Sequence, residues 1–157
     1  MGTRPLHLFL TLGRHRSLFW GWLVFAGRLM PGGRLRRRES ELVILRVAHL
    51  RDCRYEFEHH VRLGRRAGVT REDVERVTAG PEAAGWSARE AALLAATDEL
   101  HARGDLSDDG WTRLRGHTDE REAIELCMLA GHYEMLATVI TALRIQPDTP
   151  TRAGRAG

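Results

Sequence analysis

The sequence contains no lysine, so all 24 of its basic residues are arginine. A calculated pI near 9.5 would ordinarily suggest binding to nucleic acid or to a membrane surface. No motif that interleaves basic and aromatic residues accompanies this charge, and the exclusive use of arginine is typical of a GC-rich coding sequence. We therefore expect neither nucleic acid nor a membrane as a partner.

Cysteine is also scarce. Cys53 and Cys127 are the only two, which is too few for a disulfide scaffold. Long apolar runs are missing: residues 6–12 form a poor signal peptide, because Arg14 and Arg16 close the run without a small-residue cleavage site. Residues 18–27 are too few to span a bilayer. We expect a cytoplasmic protein with reduced thiols.

Strand signals are weak, since the sequence has no alternating Val/Ile/Thr runs and no Asn-Gly turns. Helix-start signals are frequent: Asp52, Thr70 with Asp73, Ser87 with Glu90, and Asp119 with Glu122. They predict one all-α domain over residues 1–148, with a disordered tail at 149–157. About seven helices are expected, at 17–30, 39–51, 53–67, 71–79, 88–103, a short segment after Ser107, and from Asp119 to about Leu143.

Charge divides unevenly along the chain. Residues 1–71 carry 15 arginines and 5 acidic residues, whereas residues 72–157 carry 9 arginines and 16 acidic residues. This asymmetry suits packing of one half against the other or against a neighbouring subunit, and it is equally compatible with a solvated surface.

The stretch CRYEFEHH, residues 53–60, concentrates ionisable groups on one helix. At 100° per residue, Cys53, Glu56 and His60 fall in the middle of the apolar face, while Tyr55 and His59 lean towards solvent. Glu56 and His60 stand four residues apart and can touch. Burial of such groups costs roughly several kcal/mol unless they are paired. The pattern favours a functional pair or a satisfied core pair.

Two other helices are predicted to bury ionisable residues. Glu41 lies on a helix that is apolar nearly all round, where pairing with Arg46 is the structural alternative to a functional role. His132 lies within an apolar arc of the last helix and is read first as a hydrogen-bonded core histidine. No HExxH, CxxC or paired-histidine spacing is present, so we expect no metal and no cofactor.

The spacing of Glu41, Cys53 and His60 resembles the carboxymuconolactone decarboxylase and alkylhydroperoxidase D-like superfamily. Its peroxidase branch has a Glu, a Cys-x-x-Cys twelve residues later, and a His four residues after the second Cys. Glu56 takes the place of that second Cys, and Tyr55 to His60 is similar to a branch with a Tyr-Glu-aromatic-x-x-His signature. The resemblance covers residues 5–148 and implies an AhpD-like orthogonal helical bundle that assembles as a trimer or hexamer, with a dimer as the other option.

The resemblance also implies a chemistry. The peroxidatic thiol is replaced by Glu56, so dithiol peroxidase activity is not expected. A cofactor-independent decarboxylase, lyase or isomerase acting on a small organic substrate is favoured, with Glu56 and His60 as the acid–base pair and Glu41 orienting them. Cys53 would line the pocket or take a minor part. Residues expected to bind the substrate are Tyr55, Arg46, His49 and His132.

Two alternatives stay open at this level. The first is a thiol-dependent antioxidant protein that uses Cys53 alone or with Cys127. The second is a non-catalytic oligomeric binding protein whose buried polar residues are structural.

Overall fold

The structure, a computed structural model, describes residues 6–148 and is all-helical over that range. The predicted disordered tail at 149–157 lies outside the described residues. The expectation of an all-α fold is confirmed, with eight helices rather than about seven; the additional one is the short α1. The helices are α1 (His7–Leu12), α2 (Arg16–Leu29), α3 (Arg37–Leu50), α4 (Arg54–Arg66), α5 (Arg71–Ala79), α6 (Ala88–Arg103), α7 (Asp108–Arg115) and α8 (Glu120–Ala142).

Three of the four predicted helix-start signals are capping boxes. They begin α5 at Thr70, α6 at Ser87 and α8 at Asp119. The fourth is wrong, because Asp52 belongs to the end of α3 and Cys53 is the N-cap of α4. Asp52 has a positive φ of 49°, and the N–H of Cys53 bonds back to the carbonyl of Ala48 at 2.8 Å, a hydrogen bond typical of a helix C-terminus.

Helix α3 is the centre of the bundle. It packs against α4, α5, α6 and α8, and its residues from Glu39 to Ala48 are all buried, as expected for a helix that is apolar nearly all round. Arg89 of α6 fixes its N-terminal end, donating to Glu39 of α3 at 2.8 Å and to Glu122 of α8 at 2.8 Å.

Helix α8 is the only helix of residues 6–148 that is long and apolar enough to cross a membrane by length and composition. Half of that apolar stretch is buried inside the fold, where Leu126 and Leu129 have no exposed surface. A core helix passes the same test, and the packing of α8 on α3 and α6 gives it that role here.

Gly64 faces both α3 and the segment that joins α4 to α5. A Cβ at this position would lie 3.2 Å from the side chain of Val69 and 3.7 Å from Cβ of Glu41. His60 precedes Gly64 by one helical turn and therefore faces the same part of α3. The small residue thus makes room for Val69 one turn away from the contact between His60 and Glu41.

Candidate active site

A buried carboxylate–imidazole dyad joins α3 to α4. Nδ1 of His60 lies 2.7 Å from Oε2 of Glu41, and Glu41 is fully buried while His60 is 5% exposed. The other carboxylate oxygen, Oε1, lies 2.6 Å from Nη2 of Arg37, one turn earlier on α3. In the tautomer with the proton on Nδ1, His60 donates this hydrogen bond to Glu41, and Nε2 is left as an acceptor.

The Glu41–His60 hydrogen bond corrects two expectations. Glu41 pairs with Arg37 and His60, not with Arg46. His60 forms its hydrogen bond with Glu41 through Nδ1, and the carboxylate oxygens of Glu56 have no hydrogen-bond partner among the described residues. Glu56 and His60 share a helix face as predicted, but they are separate groups rather than a bonded pair.

A cavity of about 410 Å³ lies between α1, α2, α4 and α8, within the usual size range of small-molecule sites. His60 and Glu56 form part of its wall, together with Arg37. The rest is mostly apolar, including Leu8, Leu23, Leu29, Leu63 and Leu136.

Glu56 is a buried carboxyl without a hydrogen-bond partner of normal geometry. It is 3% exposed, and neither carboxylate oxygen bonds to a described residue. Burial raises the pKa of Glu56 to about 8, the nearby thiol of Cys53 opposes this shift, and the charge of Glu134 adds to it. Glu56 is therefore mostly a neutral acid at pH 7.

Two further histidines line the cavity as neutral rings. Burial lowers the pKa of His132 to about 4; burial, then the charges of His60 and Arg62, lower the pKa of His59 to about 4. His132 stacks on Trp22, with ring centroids 6.2 Å apart. Nδ1 of His132 and Nε1 of Trp22 are both buried without a hydrogen-bond partner among the described residues. The prediction of a hydrogen-bonded core histidine is therefore wrong for Nδ1 of His132.

Tyr133 completes the polar part of the cavity wall. It is not among the site residues predicted from the sequence. Its ring meets the rings of His60 and His132 edge-on, at 5.1 and 5.2 Å between centroids. Burial and the charges of Glu56 and Glu41 hold the pKa of Tyr133 far above its usual value. The phenol is therefore a permanent hydrogen-bond donor next to His60.

Tyr55 does not lie towards solvent, as the helical wheel indicated, but is 6% exposed. Its hydroxyl donates to Asp148 at 2.6 Å and accepts from the N–H of Leu8 at 3.3 Å. The N–H of His7 also bonds to Asp148, at 2.7 Å. Tyr55 lines the cavity, but its hydroxyl is used to hold α1 and the end of the described chain over that cavity.

Arg46 and His49, expected to bind a substrate carboxylate, lie away from the cavity. Arg46 makes a two-point ion pair with Asp98, at 2.6 and 2.8 Å, and donates to the carbonyl of Val77 at 2.6 Å. His49 is exposed, and its ring lies against Phe57. Arg46 thus ties α3 to α5 and α6.

Cys53 is buried next to Glu56 and does not line the main cavity; it borders a separate, smaller one of about 300 Å³. Burial raises the pKa of its thiol to about 11, an effect that the backbone N–H of Glu56 opposes. Cys53 and Cys127 are both free. A thiol with this pKa is almost wholly protonated at neutral pH and is a poor nucleophile.

The arrangement can transfer protons. A base, Nε2 of His60, is oriented by a carboxylate that is itself held by Arg37, and a neutral acid, Glu56, lies in the same wall. Among residues 6–148, no group of three or more His, Cys, Asp or Glu side chains could hold a metal ion. Arg37 could have been found from its position four residues before Glu41, but Trp22 and Tyr133 carry no signal beyond helical spacing.

Structural comparison supports the fold. A putative antioxidant defence protein AhpD of unknown function from Agrobacterium tumefaciens superposes with a TM-score of 0.81 at 20% identity, covering 88% of this chain and 97% of that one. An uncharacterized peroxidase-related protein from Silicibacter sp. TM1040 gives 0.77 at 19%, covering 83% and 70%. Another, an alkylhydroperoxidase AhpD core protein from Ralstonia eutropha JMP134, gives 0.81 at 17%, covering 90% and 76%.

Sequence comparison identifies the family. No curated protein matches the sequence. The profile of the Carboxymuconolactone decarboxylase family matches residues 16–99, which is more than half of the chain and includes Glu41, Glu56 and His60. The chain therefore belongs to the carboxymuconolactone decarboxylase family.

Proposed function

We propose that this protein is a cofactor-independent acid–base enzyme, of the decarboxylase, lyase or isomerase type, acting on a small organic substrate. The observation that carries the proposal is the 2.7 Å hydrogen bond between Glu41 and His60 at the wall of a 410 Å³ cavity. A base oriented by a buried carboxylate is the usual arrangement for proton abstraction.

Each group has a distinct role in the proposal. Nε2 of His60 removes a proton from carbon, Glu41 is the positioning carboxylate, and the neutral carboxyl of Glu56 supplies a proton to the product. Tyr133 donates a hydrogen bond to the oxygen on which negative charge develops. None of these steps requires a metal, an oxidant or a cofactor.

The thiol-dependent alternative is less well supported. Its nucleophile would be Cys53, whose pKa is raised to about 11 by burial and which lies outside the main cavity. Peroxide consumption is therefore expected to be negligible and unchanged in Cys53→Ser, as measured by a peroxide electrode. A rate that vanishes in that variant would favour the antioxidant function.

Proton transfer can be tested without knowing the natural substrate. The protein is incubated in D₂O with a panel of small unsaturated lactones, with and without a carboxylate, including α-angelica lactone. ¹H NMR follows deuterium incorporation and migration of the double bond. We expect exchange above the buffer rate for at least one lactone, lowered by about 100-fold or more in His60→Ala and Glu56→Gln.

The control is Glu58→Gln, two residues after Glu56 on the outer face of α4, where Glu58 forms an ion pair with Arg54. This variant should leave the exchange rate unchanged. Exchange retained in both site variants would contradict the proposal. So would the absence of exchange with every lactone in the panel.

We also propose that the protein works in the cytoplasm as a homo-oligomer, a trimer or hexamer or else a dimer. Large apolar side chains on α2 and α8 support this assembly because they are largely exposed in the described part of the chain. Trp20 and Val24 of α2 are 62% and 67% exposed, and Ile124 and Met128 of α8 are 58% and 47% exposed. Exposed apolar surface of this kind is typical of a protein interface.

A further inference from the structure

Two ring nitrogens in the wall of the cavity have no hydrogen-bond partner among the described residues. They are Nε1 of Trp22 and Nδ1 of His132, and both atoms are buried. Both residues line the cavity, and His132 is only 5% exposed. A buried donor or acceptor without a partner destabilises a fold. A ligand that pairs with these nitrogens would remove that destabilisation.

The two nitrogens belong to neighbouring aromatic rings. Trp22 and His132 lie nearly parallel, with an interplanar angle of 18° and ring centroids 6.2 Å apart. Phe9, which also lines the cavity, meets Trp22 edge-on at 5.7 Å between centroids. Aromatic side chains offer a planar ligand a large apolar contact. Within this aromatic group, the two nitrogens are the atoms that can orient a ligand through a hydrogen bond.

The chemistry of the nitrogens favours a hydroxyl group. The indole N–H of Trp22 can only donate. His132 is neutral at pH 7, because burial lowers its pKa to about 4, so its Nδ1 donates in one tautomer and accepts in the other. A hydroxyl accepts from Trp22 and either donates to Nδ1 or accepts from it. A carbonyl oxygen can pair with both nitrogens only when Nδ1 carries the proton.

His132 lies one ring away from the proposed base. The ring of Tyr133 meets His60 edge-on at 5.1 Å between centroids, and it meets His132 edge-on at 5.2 Å. All three side chains line the same cavity. A ring-shaped ligand along this wall can therefore present one carbon to His60 and a substituent on another carbon to His132.

We infer that Trp22 and His132 form a binding site for a hydroxyl group on an unsaturated or aromatic ring. The inference rests on the proposed function and deepens it, because it adds to the substrate a hydroxyl remote from the carbon that loses the proton. In this arrangement Trp22 and His132 determine which substrate binds and how it is oriented, while His60 and Glu56 transfer protons.

The test compares 4-ethylphenol with 4-ethyltoluene, in which a methyl group of similar size replaces the hydroxyl. Each is titrated into the full-length protein at pH 7, and backbone amide shifts in ¹H–¹⁵N NMR spectra give the affinity. An unpaired hydroxyl resists transfer from water to an apolar site, so a purely apolar cavity would prefer 4-ethyltoluene. We expect 4-ethylphenol to bind at least as tightly. Tighter binding of 4-ethyltoluene overturns the inference, as does failure of 4-ethylphenol to bind.

Three variants test the assignment to these two nitrogens. Trp22→Phe removes the indole N–H and His132→Phe removes Nδ1, and both keep an aromatic ring. Each should weaken binding of 4-ethylphenol relative to 4-ethyltoluene by about fivefold or more. His132→Asn places a side-chain amide near the position of Nδ1 and should keep the wild-type ratio of affinities to within about twofold.

The matched control is Trp20→Phe, because Trp20 lies on the same helix and is 62% exposed. This variant should bind both compounds as the wild type does. A wild-type ratio in Trp22→Phe or in folded His132→Phe overturns the inference, and so does an equal loss in Trp20→Phe. Trp22→Phe decides alone should His132→Phe fail to fold.

Binding and turnover fail separately. Binding of 4-ethylphenol that depends on Trp22 and His132, without lactone exchange, would leave this inference standing and defeat the acid–base function. Lactone exchange together with tighter binding of 4-ethyltoluene would do the reverse.

Discussion

At the scale of single residues, Glu56 distinguishes this site. The spacing from Glu41 and Cys53 assigns it to the place of the second cysteine in the peroxidase pattern that the sequence resembles, and the fold buries it without a hydrogen-bond partner of normal geometry among the described residues. A buried acid in this state costs least when neutral, which is why its pKa rises to about 8. A carboxyl with this pKa can give up a proton near neutral pH, which is the role that we propose for Glu56.

This pKa makes a prediction about stability. Unfolded, Glu56 titrates near 4.5; folded, it titrates near 8, so between these values the folded chain binds more protons. The free energy of unfolding should then fall as pH rises from 4.5 to 8, by up to about 1.4 kcal/mol per pH unit. Glu56→Gln should remove this contribution and be more stable than the wild type at pH 8.

Urea denaturation of the wild type and Glu56→Gln at pH 5 and pH 8 measures the effect, with Glu58→Gln as the matched control on the same helix. A sharp loss of stability in Glu56→Gln at both pH values would instead show that the ionised carboxylate holds the core together.

At the scale of helices, α3 and α4 make the site, and Gly64 of α4 lies one turn after His60 in the contact with Val69 and α3. Replacing Gly64 by valine places branched methyl groups where only 3.2 Å separates a Cβ from Val69. We expect a loss of about 1–3 kcal/mol in stability from overpacking and a weaker Glu41–His60 hydrogen bond. Circular dichroism melts report the first effect, and the lactone exchange rate the second.

Arg65→Val, at the neighbouring exposed position of α4, is the matched control and should change stability by no more than about 0.5 kcal/mol. Equal stability of the two variants would mean that α4 does not depend on a small residue at position 64.

Helix α1 and Tyr55 show where sequence patterns were insufficient. Helix α1 has only six residues and no side-chain cap, so local signals do not mark it. It forms over the cavity because Tyr55 and Asp148 hold it, through contacts between residues far apart in the chain. A helical wheel of α4 alone therefore assigns Tyr55 to solvent.

Tyr55→Phe should loosen this cover. Losing the hydrogen bonds to Asp148 and to the N–H of Leu8 should cost about 1–2 kcal/mol and increase hydrogen exchange at the amides of α1, measured by mass spectrometry. Unchanged protection of α1 would show that its apolar packing alone is sufficient.

At the scale of the whole molecule, the sequence predicted what depends on local chemistry. Capping boxes marked α5, α6 and α8, and the apolar face of α4 placed Glu56 and His60 inward. Pairing between helices was not predictable: the wheel could not show that Arg46 would bind Asp98, or that Glu41 would bind His60 rather than Arg46. These choices depend on how α3, α4 and α6 pack.

Assembly is the prediction at this scale. Val24→Arg, at the most exposed apolar position of α2, should shift a homo-oligomer towards the monomer in size-exclusion chromatography with light scattering, because an arginine in an apolar interface is costly. Trp111→Arg, at an exposed position of α7, is the control. A wild type that is monomeric at micromolar concentration would defeat the prediction.

The most direct test of the proposed proton-transfer site is the titration of Glu56 itself. In protein labelled with ¹³C at glutamate carboxyl carbons, NMR spectra of the wild type and Glu56→Gln identify the Glu56 resonance, which is then followed from pH 3 to pH 10. We expect a midpoint near 8, the value to which burial raises the pKa of Glu56. A midpoint near the ordinary 4.5 would show that Glu56 is an ionised carboxylate at neutral pH, and would contradict its role as the proton donor.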